Sequence, residues 1–237
     1  MNSKRIQAGL IGLIATGLLA TGQAQAFGLD TLKSVAGAAL NTATQGDSST
    51  DTAALDQQHS DLMLRFNASM NNMLIAQAKT LQATGNTDAA TQTLNAAQQY
   101  AVGGVSDSDA ILRDTQLTST NQQLIQNALS QAAAMSGENR AALIEAIPYY
   151  TAGIQEGSKL SGAFTQWINN AQGAAGSLLS NPMAAAQLTS SLGDATTIAR
   201  NLPALLSAWS GTSRSFMSYA SANQLDVSTL QTALTSN

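Results

Sequence analysis

Leucine outnumbers valine by 29 to four in this 237-residue chain, and alanine supplies 43 further residues. Alanine, leucine, glutamine and methionine favour helices, whereas strands are typically built from valine, isoleucine and aromatic residues. The apolar residues recur at steps of three and four, and no strictly alternating run of the strand type stands out. The sequence therefore predicts an all-α fold.

Glycine, asparagine and serine residues divide the apolar pattern into four or five long helices and several short ones. The predicted helices cover residues 52–84, 87–100, 109–135, 138–171 and 182–209, with short helices at 213–222 and after Asp226. Asn181-Pro182 marks the start of the fifth, because asparagine caps helix N-termini and proline suits the first helical position. Short connections between amphipathic helices predict an antiparallel bundle. Pro148 and Pro203 are expected to kink the helices that contain them.

The spacing of particular residues makes two finer predictions about packing. Gly153 and Gly157 are four residues apart, a spacing that favours a close crossing between two helices. In the third helix, the apolar spacing predicts an inner face made of Leu117, Leu124, Ala128, Leu129 and Met135.

The first 26 residues have the pattern of a secretory signal peptide. Lys4 and Arg5 precede an uncharged, mostly apolar run over residues 9–21, and Ala24-Gln25-Ala26 supplies the small residues that signal peptidase accepts. A retained membrane anchor is the alternative, but the apolar run is short for a span of about 20 residues. We therefore expect cleavage before Phe27 and export, to the periplasm first and to the extracellular medium second. No stable membrane anchor is expected once the signal is removed.

The expected mature chain has two parts and an acidic balance. Residues 27–52 form a short amphipathic helix and a flexible linker, and residues 53–237 form the helical bundle domain. Cleavage removes two of the ten basic residues and none of the fourteen acidic ones, which leaves a formal charge of −6. A pI near 4.7 with scattered basic residues predicts no nucleic-acid partner. Because the chain contains no cysteine, disulfides and thiolate metal sites are excluded.

The single histidine, His59, limits the catalytic arrangements that the chain can build. Asp56 lies three residues earlier and could orient its ring, as in a Ser-His-Asp triad. However, no G-x-S-x-G motif supplies an exposed nucleophilic serine. We therefore predict no catalytic residues and no cofactor, and we expect that the protein is not an enzyme.

His59 and Met63 are weak candidates for metal binding. They lie four residues apart on one predicted helix face, and imidazole with thioether is a ligand set that suits Cu(I). Methionines at helical spacing more often fill gaps in a core. The sequence therefore predicts no metal site.

Two long segments carry no formal charge, namely residues 115–137 and 160–193. Their glutamine, asparagine, serine and threonine content is too high for an ordinary membrane span. Three explanations are open. These surfaces could be covered by a protein partner or by copies of the chain, they could line a groove for an apolar ligand, or the composition could simply favour neutral residues. The first explanation predicts a non-enzymatic protein that acts by binding or assembly.

The alternative function is transport of a lipid or another apolar molecule. Most of the aromatic residues lie in the second half of the chain, and a cleft between residues 138–171 and 182–210 could hold a ligand. The predicted lining of this cleft is Tyr150, Ile154, Phe164, Trp167, Leu202, Leu206 and Trp209.

Overall fold

The computed structural model describes residues 52–102, 104–131, 137–175 and 182–235. This part of the chain holds six α-helices and no strand, which confirms the predicted all-α fold. The helices are α1 (Thr52–Ala83), α2 (Thr87–Val102), α3 (Ser108–Gln131), α4 (Gly137–Ala175), α5 (Pro182–Ala222) and α6 (Ser228–Thr235). The predicted signal peptide, and the predicted short helix and linker up to residue 51, lie outside the described residues.

Helix ends follow the local chemistry of the sequence. After α1, Gly85 adopts a positive φ of 81°, and the amide of Asn86 donates to the carbonyl of Leu81 at 2.8 Å. Glycine suits this left-handed conformation because it has no Cβ to clash. Before α6, the carboxylate of Asp226 accepts a hydrogen bond from the amide of Ser228 at 3.0 Å. The first helix, predicted to end at residue 84, and the last helix, predicted to begin after Asp226, thus end and begin within two residues of the prediction.

Helix α5 is longer than the sequence pattern predicts. We expected an end near Trp209 and a separate short helix from Ser213, but α5 runs through both without a break. Gly211, which suggests an interruption in the sequence, lies instead against the side chains of Gln122 and Gln126 of α3. The helix continues through this glycine, which packs against the ends of both glutamine side chains.

The two prolines predicted to kink their helices lie inside continuous helices. Pro148 is within α4 and Pro203 within α5, and both are exposed. A proline removes one backbone hydrogen bond of its helix. At an exposed position, water can satisfy the carbonyl that loses its partner.

Helix α1 packs against α2, α3, α4 and α5, and its most extensive contact is with α4. These two helices are antiparallel. Near the start of α1, the indole Nε1 of Trp167 donates to the carbonyl of Leu55 at 2.8 Å. Near its end, the Nζ of Lys79 lies 2.6 Å from the carboxylate of Glu145.

Helices α3 and α5 are neighbours that run parallel, unlike the antiparallel pairs α1–α4 and α4–α5. The hydroxyl of Ser108 donates to that of Thr197 at 3.5 Å, and Gln122 contacts Gly211 further along both helices. In an up-and-down chain every second helix runs in the same direction, so placing α5 beside α3 makes the pair parallel. The bundle is therefore antiparallel between α1 and α4 and between α4 and α5, but not between α3 and α5.

The close crossing predicted at Gly153 and Gly157 is confirmed. A Cβ on Gly153 would lie 2.5 Å from the Sδ of Met73 in α1, and one on Gly157 would lie 2.5 Å from the ring of Trp209 in α5. The hydroxyl of Ser69 also donates to the carbonyl of Gly153 at 2.9 Å. The two glycines therefore let α4 approach both α1 and α5.

The inner face of α3 differs from the prediction, because much of it is polar. Its buried residues are Ala110, Ile111, Asp114, Thr115, Thr118, Asn121, Ile125 and Leu129. Leu117, Leu124 and Ala128, predicted as core residues, are only half-buried, whereas Leu129 is buried as predicted and Met135 lies outside the described residues. Asp114 and Asn121 lie inside because side chains of α1 and α2 provide hydrogen-bond partners for them, whereas the hydroxyl of Thr115 bonds to the carbonyl of Ile111 in its own helix. Within the described ranges, no helix combines the length and apolarity needed to cross a bilayer.

Candidate functional site

The residues predicted to line an α4–α5 cleft are mostly core residues of the bundle. Tyr150, Ile154, Phe164, Trp167, Leu202 and Trp209 are all at least 98% buried, and Leu206 is half-buried. Several of them contact α1 as well as α5. Tyr150 OH is 3.1 Å from Thr80 Oγ1 in α1, and its ring lies 4.9 Å from that of Phe216 in α5. The structure brings these residues together as packed side chains from three helices.

Helix α1 also covers the part of the predicted cleft around Phe164. Phe164 meets Phe66 of α1 edge to face, with ring centroids 6.4 Å apart. Trp209 fills the space beside Gly157, as described above. A ligand between α4 and α5 would have to displace these contacts. Transport of an apolar molecule between α4 and α5 therefore remains a prediction, and the seven residues named above remain the predicted lining of its binding site.

His59 lies in α1 at the end of the bundle where that helix begins. Its ring stacks on that of Trp167, with centroids 4.9 Å apart and planes at 39°. Among the described residues, its buried Nε2 has no hydrogen-bond partner. Burial lowers the pKa of His59 below its ordinary value, and the carboxylates of Asp194 and Asp56 oppose this shift. Burial against the indole therefore disfavours the charged form of the imidazole.

Asp194 is a neighbour of His59 that the sequence analysis missed. Burial raises the pKa of Asp194, the charge of His59 opposes the shift, and that of Asp107 adds to it. The three side chains belong to α1, α5 and the segment before α3. Asp194 ends the long uncharged segment, but its proximity to a residue 135 positions earlier depends on how α1 and α5 pack.

His59 and Met63, the two weak candidates for metal binding, lie in different environments. Met63 is 9% exposed and belongs to the core, whereas His59 is half-buried at the rim. In the part of the chain that the structure describes, no group of three or more His, Asp or Glu side chains could hold a metal ion.

A second buried polar group lies between α2 and α3. Tyr100 OH donates to the carboxylate of Asp114 at 3.0 Å, and Arg113 Nε lies 3.5 Å from the same carboxylate. Burial raises the pKa of Asp114, and the hydrogen bond from Tyr100 and the charge of Arg113 oppose this shift. The sequence signal was the spacing of Ile111, Asp114 and Thr118, which places the carboxylate on the inner face.

Charged contacts concentrate along the seam between α1 and α4. Glu156 and Lys159, one turn apart in α4, pair at 3.1 Å, and the guanidinium of Arg65 in α1 lies 3.4 Å from the same carboxylate. Together with the pair of Lys79 and Glu145, these contacts follow the antiparallel register of the two helices. Such partly exposed pairs each contribute up to about 1 kcal/mol.

Beyond Lys159, the exposed side chains of α4 and of the start of α5 carry no charge. We call this surface the uncharged face. Its exposed residues are Gly162, Thr165, Gln166, Asn169, Asn170, Gln172, Gly173 and Ala175 in α4, and Met183, Ala186, Gln187, Thr189, Ser190 and Gly193 in α5. Most of these groups can both donate and accept hydrogen bonds, or are small. The surface therefore offers hydrogen-bonding groups without formal charge.

The other uncharged segment, residues 115–137, does not extend this face. Its described part lies in α3, where Gln77 of α1 donates to the carbonyl of Thr118 at 3.3 Å. That contact is near the end of α1, whereas the uncharged face lies near its start, where Trp167 meets Leu55. The two predicted partner segments are thus at opposite ends of the bundle.

The chain matches no protein-family model, no curated protein and no solved structure.

Proposed function

We propose that this protein is an exported, non-enzymatic interaction protein that docks through the uncharged face of α4 and α5. The observation that carries the proposal is the charge distribution of the exposed side chains. No Asp, Glu, Lys or Arg interrupts the sequence from residue 160 to residue 193, although acidic groups are spread over much of the rest of the chain. Charged residues are depleted at the cores of protein interfaces relative to the rest of the surface.

The buried part of the same region supports a binding role rather than a chemical one. Beneath this end of the bundle lie Trp167, stacked on His59, and the apolar residues Ala171 and Ala174. The indole Nε1 is already bonded to the carbonyl of Leu55. A rigid, filled core below a neutral surface provides a fixed platform for a partner.

Native mass spectrometry of the mature chain, purified gently from the periplasm, tests the proposal. We expect a second protein or a whole multiple of the chain mass, with an N-terminus at Phe27. A bare monomer under the same gentle conditions contradicts the proposal. An added mass of a few hundred daltons would instead favour the carrier function. An intact N-terminus at Met1 would contradict the proposed export.

A pair of matched variants then locates the docking surface. Gln166→Glu adds a charge to the uncharged face, and Gln116→Glu makes the same change on the exposed side of α3. Loss of the complex with Gln166→Glu, but not with Gln116→Glu, is the expected result. Equal loss with both variants, or loss with neither, contradicts docking through this face.

A further inference from the structure

Helix α5 extends past the start of α3, and the face that contacts α3 continues beyond it. Ser108, the first residue of α3, bonds to Thr197 of α5. Met183 and Ser190 lie fourteen and seven residues before Thr197, which are close to four and two full turns, so all three share one side of the helix. Both Met183 and Ser190 are exposed. An established helix–helix interface therefore continues as open surface.

The exposed part of this face combines one large apolar side chain with neutral polar ones. Met183 is 82% exposed, whereas methionine side chains are usually buried in folded proteins. Gln187 lies between Met183 and Ser190 on the same side of the helix and is also exposed. The flexible thioether of Met183 can adapt its shape to an opposing helix, and the amide of Gln187 and the hydroxyl of Ser190 can form hydrogen bonds with neutral polar side chains of that helix.

Electrostatics favour a second copy of the chain as the occupant. The mature chain expected after cleavage before Phe27 has a formal charge of −6, so two copies carry a net repulsion. The uncharged segment is a surface where two identical copies can meet without bringing like charges together. A partner of opposite charge would gain nothing from this face, because it offers no charge to pair.

The chemistry of glutamine suits a two-fold interface. In an isologous dimer, a residue near the symmetry axis faces its own copy. A carboxylate or an ammonium group would there meet a like charge, whereas an amide both donates and accepts and can bond to its own copy. If two α5 helices cross in opposite directions over Met183–Ser190, Gln187 is the residue nearest the axis.

We infer that the uncharged face binds a second copy of this protein, through the starts of two α5 helices that cross near Gln187. This inference rests on the proposed function and names the partner for the same surface. The α5 residues from Met183 to Gly193 supply the contact.

Sedimentation velocity of the mature chain at low and high salt tests the inference. The native chain is expected to show a monomer–dimer equilibrium. Gln187→Glu places two like charges near the axis and should raise the dimer dissociation constant at least about fourfold at low salt. The effect should shrink at high salt, because salt screens exposed charges. Circular dichroism should be unchanged, since the position is exposed.

Gln123→Glu is the matched control, since it makes the same substitution on the exposed side of α3. It should leave the dissociation constant unchanged. Gln187→Lys should dissociate the dimer as Gln187→Glu does, whereas an equal mixture of the two variants should restore association. Equal effects at positions 187 and 123, or a mixture that stays monomeric, overturns the inference.

Because the chain has no cysteine, a single introduced cysteine gives an independent test. Gln187→Cys should form an intermolecular disulfide under mild oxidation, since a disulfide needs Cα atoms about 4.4–6.8 Å apart. Gln123→Cys should not. If the native chain remains a monomer up to about 1 mM, this inference fails. If native mass spectrometry then shows a different protein bound, the proposed function still holds.

Discussion

The indole of Trp209 lies directly over Gly157, so that a Cβ on the glycine would be 2.5 Å from Cζ3 of the ring. The same Cβ would lie 3.1 Å from the hydroxyl of Ser69. Side chains from α1 and α5 thus occupy the space that the missing side chain in α4 leaves. This contact ties the three long helices together at the centre of the bundle.

Gly157→Ala should therefore destabilise the protein. Overpacking a filled core costs about 1 to 3 kcal/mol, which outweighs the helix propensity of about 1 kcal/mol that alanine gains over glycine. Gly162→Ala, in the same helix, is the control, because its Cβ would meet nothing within 4 Å. It should raise the free energy of unfolding by up to about 1 kcal/mol. Urea denaturation measures both, and a stabilised Gly157→Ala would contradict the packing described.

Replacement of Asn121 should weaken the contact among α1, α2 and α3. Its side-chain amide donates to Gln77 Oε1 at 3.1 Å and to Thr93 Oγ1 at 2.8 Å, and all three residues are buried. Asn121→Ala leaves both acceptors without this donor and should cost about 1 to 3 kcal/mol. Asn127→Ala, at an exposed position of α3, should change stability by no more than about 0.5 kcal/mol. Similar midpoints in urea for both variants would contradict the role of Asn121.

Removal of the Tyr100 hydroxyl should destabilise the ionised form of Asp114. Tyr100→Phe removes a hydrogen bond to a buried charged group, a change worth about 1.5 to 3 kcal/mol at neutral pH. The pKa of Asp114, already raised by burial, should rise further. The stability difference should shrink as the pH falls through this raised pKa, because the protonated carboxyl needs the donor less.

Tyr149→Phe is the control for that experiment, since Tyr149 is a half-buried tyrosine whose ring faces Lys79 at 5.9 Å. Its stability relative to the native protein should not depend on pH in the acid range. Unfolding curves at several pH values, with one variant beside the other, separate the two cases. A pH-independent deficit in Tyr100→Phe would show that the lost hydrogen bond is not coupled to Asp114.

His59 should titrate below its ordinary pKa of about 6.5, because burial against Trp167 disfavours the charged ring. Asp194→Asn should lower the pKa further, since it removes a carboxylate that favours protonation. The folded protein then binds this proton less tightly than the unfolded chain. Stability from this group is therefore lost as the pH falls from about 6.5 through the folded pKa.

NMR of the imidazole measures this pKa without ambiguity, because the chain has one histidine. The urea-unfolded chain gives the reference value. A folded pKa at or above the reference would contradict the burial of the ring. An unchanged pKa in Asp194→Asn would show that the carboxylate lies too far away to act on His59.

Much of the fold was predictable because helix formation depends on nearby residues. The steps of three and four placed α1 to α4 and the start of α5 within a few residues, and Gly85, Asp226 and Asn181-Pro182 marked helix ends by local chemistry. The break expected near Gly211 was wrong. A lone glycine carries the same local signal whether it ends a helix or lets a neighbouring helix approach, and here it receives Gln122 of α3.

The candidate site was predictable only as a segment. The absence of charge from residue 160 to residue 193 is a sequence property, but which of these residues are exposed depends on packing. Trp167 and Leu188 of this segment are buried, whereas Met183 is 82% exposed. Of the two carboxylates near His59, only Asp56 was predictable, because it lies one helical turn away in the sequence. Asp194 is brought near by the packing of α5 against α1.

The sequence by itself determined that this chain is helical and where most of its helices begin and end, because capping, propensity and periodicity act over a few residues. The tertiary structure decided which faces are inside. Asn121 and Thr118 are buried while Leu64 is 63% exposed, an order that apolar spacing alone would reverse. The physical reason is that a buried polar group needs partners, and those of Asn121 come from α1 and α2, up to 44 residues away in the chain.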